Sequence, residues 1–168
     1  TQGVSSAASD VYKRQGQILA PGLVDTHIHG YKGADIMNCK KGDLEIISRG
    51  LLETGVTSFL PTTLTDSKEK LDKACEMVGL EYKDVTGAKV RGMFLEGPFF
   101  TSKYKGAQNS AYMSDPDIEK LKTWKKLSDN LVNKIAIAPE RENSIDFIKK
   151  ANAMAVSYTH LTLPTILL

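Results

Sequence analysis

The sequence predicts an α/β protein built as a (β/α)8 barrel, or TIM barrel, of which about the first four β/α units are present. Short runs rich in branched apolar residues alternate four times with segments of helical periodicity, which is typical of parallel strands joined by helical crossovers. Polar residues also collect where the apolar runs end, and in a barrel those strand ends form the face that carries the chemistry. Alternation alone would also fit a flavodoxin-like open sheet, so the placement of the polar residues favours the barrel.

The strand–helix pairs can be assigned in order along the chain. Each predicted strand is a short apolar run, and each predicted helix starts near a polar capping residue and carries apolar residues at helical spacing. Pro61 predicts the end of the second strand, because proline cannot donate a hydrogen bond to a neighbouring strand. The predicted strands cover residues 18–28, 56–60, 90–95 and 135–138. The first predicted helix covers residues 43–54, and the other three begin at Asp66, Asp115 and Ser144.

The composition excludes several classes of function. The chain has 168 residues, enough for one domain with a core, and its 22 basic and 20 acidic side chains leave a formal net charge of +2. That balance argues against a nucleic-acid-binding arm, and no apolar run approaches the roughly 18–20 residues that a membrane span needs. Two cysteines do not make a disulfide framework, so we expect a cytoplasmic protein.

The two ends of the chain differ in character from the middle. Residues 4–15 and 155–168 resemble translated adapter sequence, and independently neither end continues the pattern beside it. We therefore expect residues 1–16 and 154–168 to be foreign flanks and residues 17–153 to be the partial barrel. This interpretation sets aside His160, one of the three histidines of the chain.

The sharpest local signal is His27-Ile28-His29 at the end of the first predicted strand. Residues two apart on a strand point to the same face, so the two imidazoles can converge on one metal ion. Imidazole is a suitable ligand for Zn, Fe, Ni and Cu. Such a pair can also consist of one packed and one exposed side chain, but its position at a strand end favours a pair of ligands.

Glu96 is the candidate for a third ligand. It follows the apolar residues of the third predicted strand, where a carboxylate is costly unless it is paired or binds a metal. With His27 and His29 it would offer two nitrogen atoms and one oxygen atom to a metal with an open position, as hydrolysis requires. A salt-bridged glutamate in a loop fits the sequence as well, so the three-residue site is a spatial hypothesis.

A basic and polar loop at residues 103–109 is the next candidate for binding. Its composition would suit a sugar or an anion, although a solvated loop has the same composition. Cys39 and Cys75 lack the spacing of metal ligands and are expected to be free thiols. The position of Trp124 among apolar residues at helical spacing predicts a core residue.

Five segments together resemble the N-acetylglucosamine-6-phosphate deacetylase family of the amidohydrolase superfamily. The first segment alone also fits dihydroorotases and hydantoinases, but dihydroorotases usually carry an arginine just after the histidine pair, where this chain has Gly30-Tyr31-Lys32. The most specific part is LEGPF followed by KGAQN. The five segments are PGLVDTHIHG at 21–30, TGVTSFLPTT at 54–63, FLEGPFF at 94–100, KGAQN at 105–109 and IAPE at 137–140.

This resemblance implies a fold, a reaction and roles for several residues. It implies a metal-dependent hydrolase with a (β/α)8 barrel and a small β-sandwich domain, which removes the N-acetyl group of N-acetylglucosamine 6-phosphate and releases acetate. Glu96 would be the principal metal ligand, and His27 and His29 would serve a second metal in members that have one. Ala107 and Gln108 would contact the sugar. The cofactor would be Zn or Fe, with one or two ions per subunit.

The resemblance also has implications for catalysis and assembly. The family's catalytic aspartate, its remaining histidine ligands and its phosphate-binding residues lie beyond the fourth β/α unit, so we expect no catalytic residue in this chain and no turnover by it alone. A homodimer is expected for the full-length protein, with no nucleic-acid or membrane partner. The residues leave two alternatives open, namely a small non-catalytic α/β binding module and another cyclic amidohydrolase such as a dihydroorotase or hydantoinase relative.

Overall fold

The central feature of the fold is a parallel sheet whose main strands follow one another in chain order. The computed structural model describes residues 20–160. A flavodoxin-like sheet would place its second strand outside the first, so the observed sequential order confirms the barrel-type arrangement and excludes the open-sheet alternative. The order is β1 (Leu23–Ile28), β4 (Val56–Thr63), β6 (Met93–Glu96), β7 (Val132–Ile137) and β8 (Ser157–His160), with the short β5 (Lys89–Val90) also paired to β4.

Helices connect the successive strands of this half-barrel. A small antiparallel hairpin and one helix separate β1 from β4, and one helix follows each of β4, β6 and β7. None of these helices in the described part of the chain combines the length and the apolar character that crossing a membrane requires. The elements are β2 (Gly30–Tyr31), β3 (Ala34–Asp35), α1 (Asp43–Leu52), α2 (Lys68–Glu81), α3 (Ile118–Leu127) and α4 (Ser144–Ala153).

The two faces of the sheet contribute to two different apolar clusters. Successive residues of a strand point to opposite faces, and in β6 Met93 and Leu95 belong to the large core shared with the helices. Phe94 lies between them and belongs to a small cluster on the other face, with Leu60, Phe100 and Ala136. Glu96 lies two residues after Phe94 in the same strand, so its side chain points to the face of the small cluster. Trp124 is fully buried in the large core, as predicted.

The second predicted strand does not end at Pro61, which corrects the prediction. β4 continues to Thr63. The register between β1 and β4 is irregular between Asp25 and Ile28, and Ile28 is the residue opposite Pro61. The missing N–H of proline therefore falls where the ladder of hydrogen bonds is already interrupted. The extension brings Thr62 into the sheet beside the end of β1.

Two predicted helix starts were one or two residues too early. The residue that caps α2 is Ser67 rather than Asp66, and the residue that caps α3 is Asp117 rather than Asp115. In both helices the capping side chain accepts a hydrogen bond from a backbone N–H group of the first turn. The fourth helix begins at Ser144, as predicted.

Strand β8 lies within the part of the chain that the sequence analysis assigned to a foreign flank. Residues 157–160 pair in parallel with β7, in a register that places Ser157 opposite Lys134. Residues 1–19 and 161–168 lie outside the described residues. The division of the chain at residues 16 and 153 stays a prediction.

Candidate metal centre

The side chains of His27, His29 and Glu96 meet at the end of the sheet. The Oε2 atom of Glu96 lies 3.3 Å from Nε2 of His27 and 3.1 Å from Nε2 of His29. The two Nε2 atoms are 3.2 Å apart. The structure therefore brings together the three residues that the sequence analysis proposed as ligands, although β1 and β6 are far apart along the chain.

The end of β4, which lies between β1 and β6, orients one of the two histidines. Nδ1 of His29 lies 3.1 Å from the backbone carbonyl oxygen of Thr62. A carbonyl oxygen only accepts hydrogen bonds, so Nδ1 carries a proton and donates. Nε2 donates to Glu96 when the ring is protonated, and it offers its lone pair to a metal ion when the ring is neutral. Thr62 Oγ1 also accepts a hydrogen bond from the N–H of Ile28 at 3.1 Å. A ring fixed in this way by a backbone carbonyl is typical of metal-binding histidines.

The other histidine is held by its own strand and by an aromatic neighbour. The backbone N–H of His27 donates to Asp25 Oδ1 at 3.0 Å. Its ring meets the ring of Phe94 edge to face, with centroids 5.0 Å apart. Lys134 Nζ lies 4.1 Å from the centroid of the Phe94 ring, which adds a cation–π contact below the site. The side chain of His27 is 46% exposed and that of Glu96 is 12% exposed, so the cluster opens to solvent on its histidine side.

Glu96 and His29 change each other's ionisation. The hydrogen bond to Glu96 raises the pKa of His29, against the opposing effect of partial burial. Burial by itself would raise the pKa of Glu96, but the hydrogen bond from His29 and the charges of both histidines outweigh burial, so the pKa of Glu96 is lowered. A carboxylate that stays ionised in a largely buried position is suited to binding a cation.

The donor set fits a divalent metal ion. Zn–N and Zn–O bonds of about 2.0–2.2 Å place neighbouring donors of a tetrahedral site roughly 3.4 Å apart. The observed separations of 3.1, 3.2 and 3.3 Å agree with that spacing. Within the described residues, His27, His29 and Glu96 are the group of three side chains whose ligand atoms converge in this way. Two nitrogen atoms and one oxygen atom would leave a position for water or substrate, and the metal-binding role itself stays a prediction.

The loop that carries Ala107 and Gln108 is anchored to the chain just after β4. Gln108 is buried, and its Oε1 accepts a hydrogen bond from the N–H of Thr65 at 2.7 Å, whereas Ala107 is exposed. Thr65 uses one of the two lone pairs of Oε1, so Gln108 can offer a bound molecule the NH2 group of its amide as a donor and the second lone pair of Oε1 as an acceptor. The loop is thus not uniformly solvated, and its sugar-binding role stays a prediction.

Sequence reasoning missed the residues that hold these parts in place. Besides Thr62 and Thr65, Arg141 ties the loop after β6 to the end of β7. Its Nε donates to the carbonyl oxygen of Phe100 at 2.7 Å, and its guanidinium group forms an ion pair with Asp115. The only available signal was that polar residues occur at these strand ends, because their partners are distant in the sequence.

Two other expectations from the sequence concern thiols and the third histidine. Cys39 and Cys75 are free cysteines, as predicted. Burial raises the pKa of both thiols, so both are poor metal ligands and poor nucleophiles near neutral pH. The side chain of His160 lies outside the described residues.

The chain is similar in sequence to two groups of sugar-phosphate deacetylases. It is 38% identical over 139 residues to the N-acetylglucosamine-6-phosphate deacetylase of Vibrio furnissii, an alignment that covers 82% of this chain and 35% of that protein. It is 31% identical over 140 residues to the N-acetylgalactosamine-6-phosphate deacetylase of Escherichia coli O157:H7, covering 83% of this chain and 37% of that protein. The chain therefore spans little more than a third of the length of these curated relatives.

The fold and the family agree with this similarity. The solved structure of N-acetylglucosamine-6-phosphate deacetylase from Thermotoga maritima superimposes with a TM-score of 0.70 and 30% identity, covering 83% of this chain and 36% of that chain. The sequence also matches the amidohydrolase family over residues 18–161. With its parallel strands in barrel order, the chain belongs to the amidohydrolase family.

Proposed function

We propose that this chain forms the metal-binding part of a hydrolase that removes the N-acetyl group from N-acetylglucosamine 6-phosphate, giving glucosamine 6-phosphate and acetate. The observation that carries the proposal is the meeting of His27, His29 and Glu96 at the carboxyl ends of β1 and β6, within 3.3 Å of one another. The carboxyl ends of the strands are where barrel enzymes have their active sites. Membership of the amidohydrolase family and the names of the curated relatives support the same reaction class.

A divalent metal ion, Zn or Fe, held by these three residues would supply Lewis-acid activation of water and of the amide carbonyl. Glu96 provides the negative charge that retains the cation, and the carbonyl of Thr62 keeps Nε2 of His29 available as a ligand. Titration of the chain with metal resolves whether one or two ions bind per subunit.

Gln108 and Ala107 are proposed to contact the sugar. The N–H of Thr65 fixes the orientation of the Gln108 amide, so its NH2 group can donate a hydrogen bond to a hydroxyl oxygen of the sugar. Ala107 is exposed and has a small side chain, which allows the substrate to approach its backbone. The two groups of relatives act on sugars that differ in configuration at one carbon, and we propose the gluco sugar because the most specific segments of the sequence resemble that family.

Metal binding by the chain itself is the first test. Zn²⁺ affinity is measured by calorimetry for the chain and for Glu96→Gln, which keeps the shape of the side chain and removes its charge. We expect at least a hundredfold weaker binding in the variant, since even residues that only support a ligand contribute about 10- to 100-fold. Glu142→Gln is the matched control, because Glu142 is exposed and should leave affinity unchanged.

Turnover is tested in a chimera in which this chain replaces the matching third of the Vibrio furnissii deacetylase. The chimera should release acetate from N-acetylglucosamine 6-phosphate, and faster than from N-acetylgalactosamine 6-phosphate. Glu96→Gln in the chimera should abolish release. Unchanged turnover in that variant would refute the role assigned to Glu96, and preference for the galacto sugar would refute the proposed substrate.

A cytoplasmic location and a homodimer are part of the same proposal. The two free cysteines support a reducing compartment, and the resemblance described above supports the dimer. Cell fractionation and the mass of the chimera in light scattering test these two points.

A further inference from the structure

The short segment after Pro61 contacts His29, Gln108 and Gly97, the residue after Glu96. It comprises residues 62–65, at the end of β4 between β1 and β6. On the side of β1, Thr62 holds His29 through its carbonyl oxygen at 3.1 Å and holds the N–H of Ile28 through Oγ1 at 3.1 Å. The end of β4 thus fixes His29 and the backbone beside it.

Thr65, three residues further on, contacts both the loop and the chain beside Glu96. Its N–H donates to Oε1 of Gln108 at 2.7 Å. Its side chain packs against Gly97 so closely that a Cβ atom added to Gly97 would lie 2.1 Å from Thr65 Oγ1. Gly97 directly follows Glu96, so a displacement of Thr65 moves the backbone next to the carboxylate of the cluster.

We propose that Thr65 is a positioning residue that couples the order of the loop at residues 105–109 to metal binding by His27, His29 and Glu96. The inference rests on the proposed function, because it takes these three residues as the metal ligands. A metal ion fixes Glu96, the Gly97 backbone then fixes Thr65, and the N–H of Thr65 fixes Gln108. Each step is a direct packing contact or hydrogen bond, and such contiguous contacts can carry coupling between two sites.

The hydroxyl group of Thr65 is not what makes the link. Oγ1 is buried and, within the described residues, has no hydrogen-bond partner. The side chain therefore acts through its shape and the backbone through its N–H group. Valine has the shape of threonine and keeps the N–H, so Thr65→Val should preserve the coupling, whereas removal of the acceptor on Gln108 should break it.

Hydrogen exchange of the full 168-residue chain, with and without saturating Zn²⁺, tests the coupling. Zn²⁺ should slow exchange of the amides at residues 105–109 by about fivefold or more, the lower end of common coupling factors. Thr65→Val should show the same slowing. Gln108→Met, which keeps the size of the side chain and lacks Oε1, should show none. Thr101→Val is the matched control, because it removes the bond from Thr101 Oγ1 to Glu140 in the same loop but not the link to Thr65.

Coupling is reciprocal, so a second measurement applies to the same variants. Zn²⁺ should bind Gln108→Met more weakly than it binds the unmodified chain. The expected loss of affinity equals the factor by which Zn²⁺ slows amide exchange at residues 105–109 of the unmodified chain. A urea melt verifies that the variant is folded. Equal slowing in Gln108→Met, or Zn²⁺ binding without any slowing in the unmodified chain, would overturn this inference and leave the proposed function standing. A chain that binds no Zn²⁺ would overturn both.

Discussion

Replacing Gly97 with alanine should destabilise the protein more than the same change at Gly55, another glycine with a positive φ. Gly97 has a φ of +96°, a backbone conformation that residues with a Cβ adopt at a cost of about 1–3 kcal/mol. The new Cβ would also lie 2.1 Å from Thr65 Oγ1, and overpacking of this kind costs about 1–3 kcal/mol. Together the two effects lower the free energy of unfolding by roughly 2–6 kcal/mol, a large share of the about 5–15 kcal/mol of a typical domain.

Gly55 provides a matched control for the backbone effect. Its φ is +81°, and no atom lies within 4 Å of the position of an added Cβ. Gly55→Ala should therefore lose only the about 1–3 kcal/mol that the conformation costs. In the double variant Gly97→Ala, Thr65→Ala the 2.1 Å contact with Oγ1 is absent, although contacts of 3.2 Å with Phe100 Cε2 and with the Cβ atom of residue 65 remain. The unfolding free energy should therefore recover in part relative to the sum of the two single changes.

Urea unfolding followed by the fluorescence of Trp124 measures these differences. Trp124 is the single tryptophan of the chain and is fully buried, so its emission reports unfolding. The comparison holds when the slope of the unfolding free energy against urea concentration is the same in all variants. If Gly97→Ala is no less stable than Gly55→Ala, the close packing of Thr65 on Gly97 is wrong, and with it the path from the loop to Glu96.

Three further predictions concern the ionisation of His29 and Glu96, the loop contacts of Arg141 and the core packing of Trp124. The raised pKa of His29 stabilises the metal-free fold below the ordinary value of 6.5, and that stability is lost as pH rises through the raised pKa. The lowered pKa of Glu96 stabilises the fold above the ordinary value of 4.5, and that stability is lost as pH falls, so the pair contributes most between pH 4.5 and 6.5 in urea melts. Arg141→Lys should cost about 1–3 kcal/mol and speed proteolysis of the loop after β6, because one ammonium group cannot replace both guanidinium contacts. Trp124→Phe should cost about 1–3 kcal/mol in urea melts, because it removes the 2.9 Å hydrogen bond to Asp72 and leaves a gap in the core.

Each of these predictions has a control and a contrary outcome. The pH effect should shrink in His29→Ala to the part that His27 contributes through Glu96, and an unchanged profile in that variant would show that another group is responsible. Lys122→Arg is the control for Arg141→Lys, because the Lys122 pair with Glu119 is exposed on one helix and contributes little. Stability of Trp124→Phe equal to that of the unmodified chain would show that the bond to Asp72 contributes nothing.

The sequence predicted the order of the elements and the three converging donors, because both follow from local rules. Alternating apolar runs and helical periodicity depend on neighbours along the chain. The spacing of His27 and His29, two residues apart at the end of the first predicted strand, predicts that both side chains lie on one side of the sheet. The link to Glu96 followed from the parallel order of the strands, since their carboxyl ends form one edge of the sheet. The sequence therefore identified the three donor residues and the edge of the sheet at which they lie.

The residues that position those donors were beyond prediction for a physical reason. Thr62, Thr65 and Arg141 act through hydrogen bonds to backbone or amide groups that are distant in sequence, and many polar residues in loops can form such bonds. The extension of β4 beyond Pro61 depends on an irregularity in β1, which only the pairing of the two strands reveals. Local patterns predict which groups are available, whereas tertiary contacts decide how they are held.

The order of the strands has a consequence for synthesis of the protein. Because each main strand pairs with the next one along the chain, the units can dock one after another on a nascent polypeptide, without waiting for a distant segment. The proposed donors and the threonine that orients His29 all precede residue 97. Under the proposed function, metal could bind while later strands are still being synthesised, and the ion would then stabilise the early intermediate.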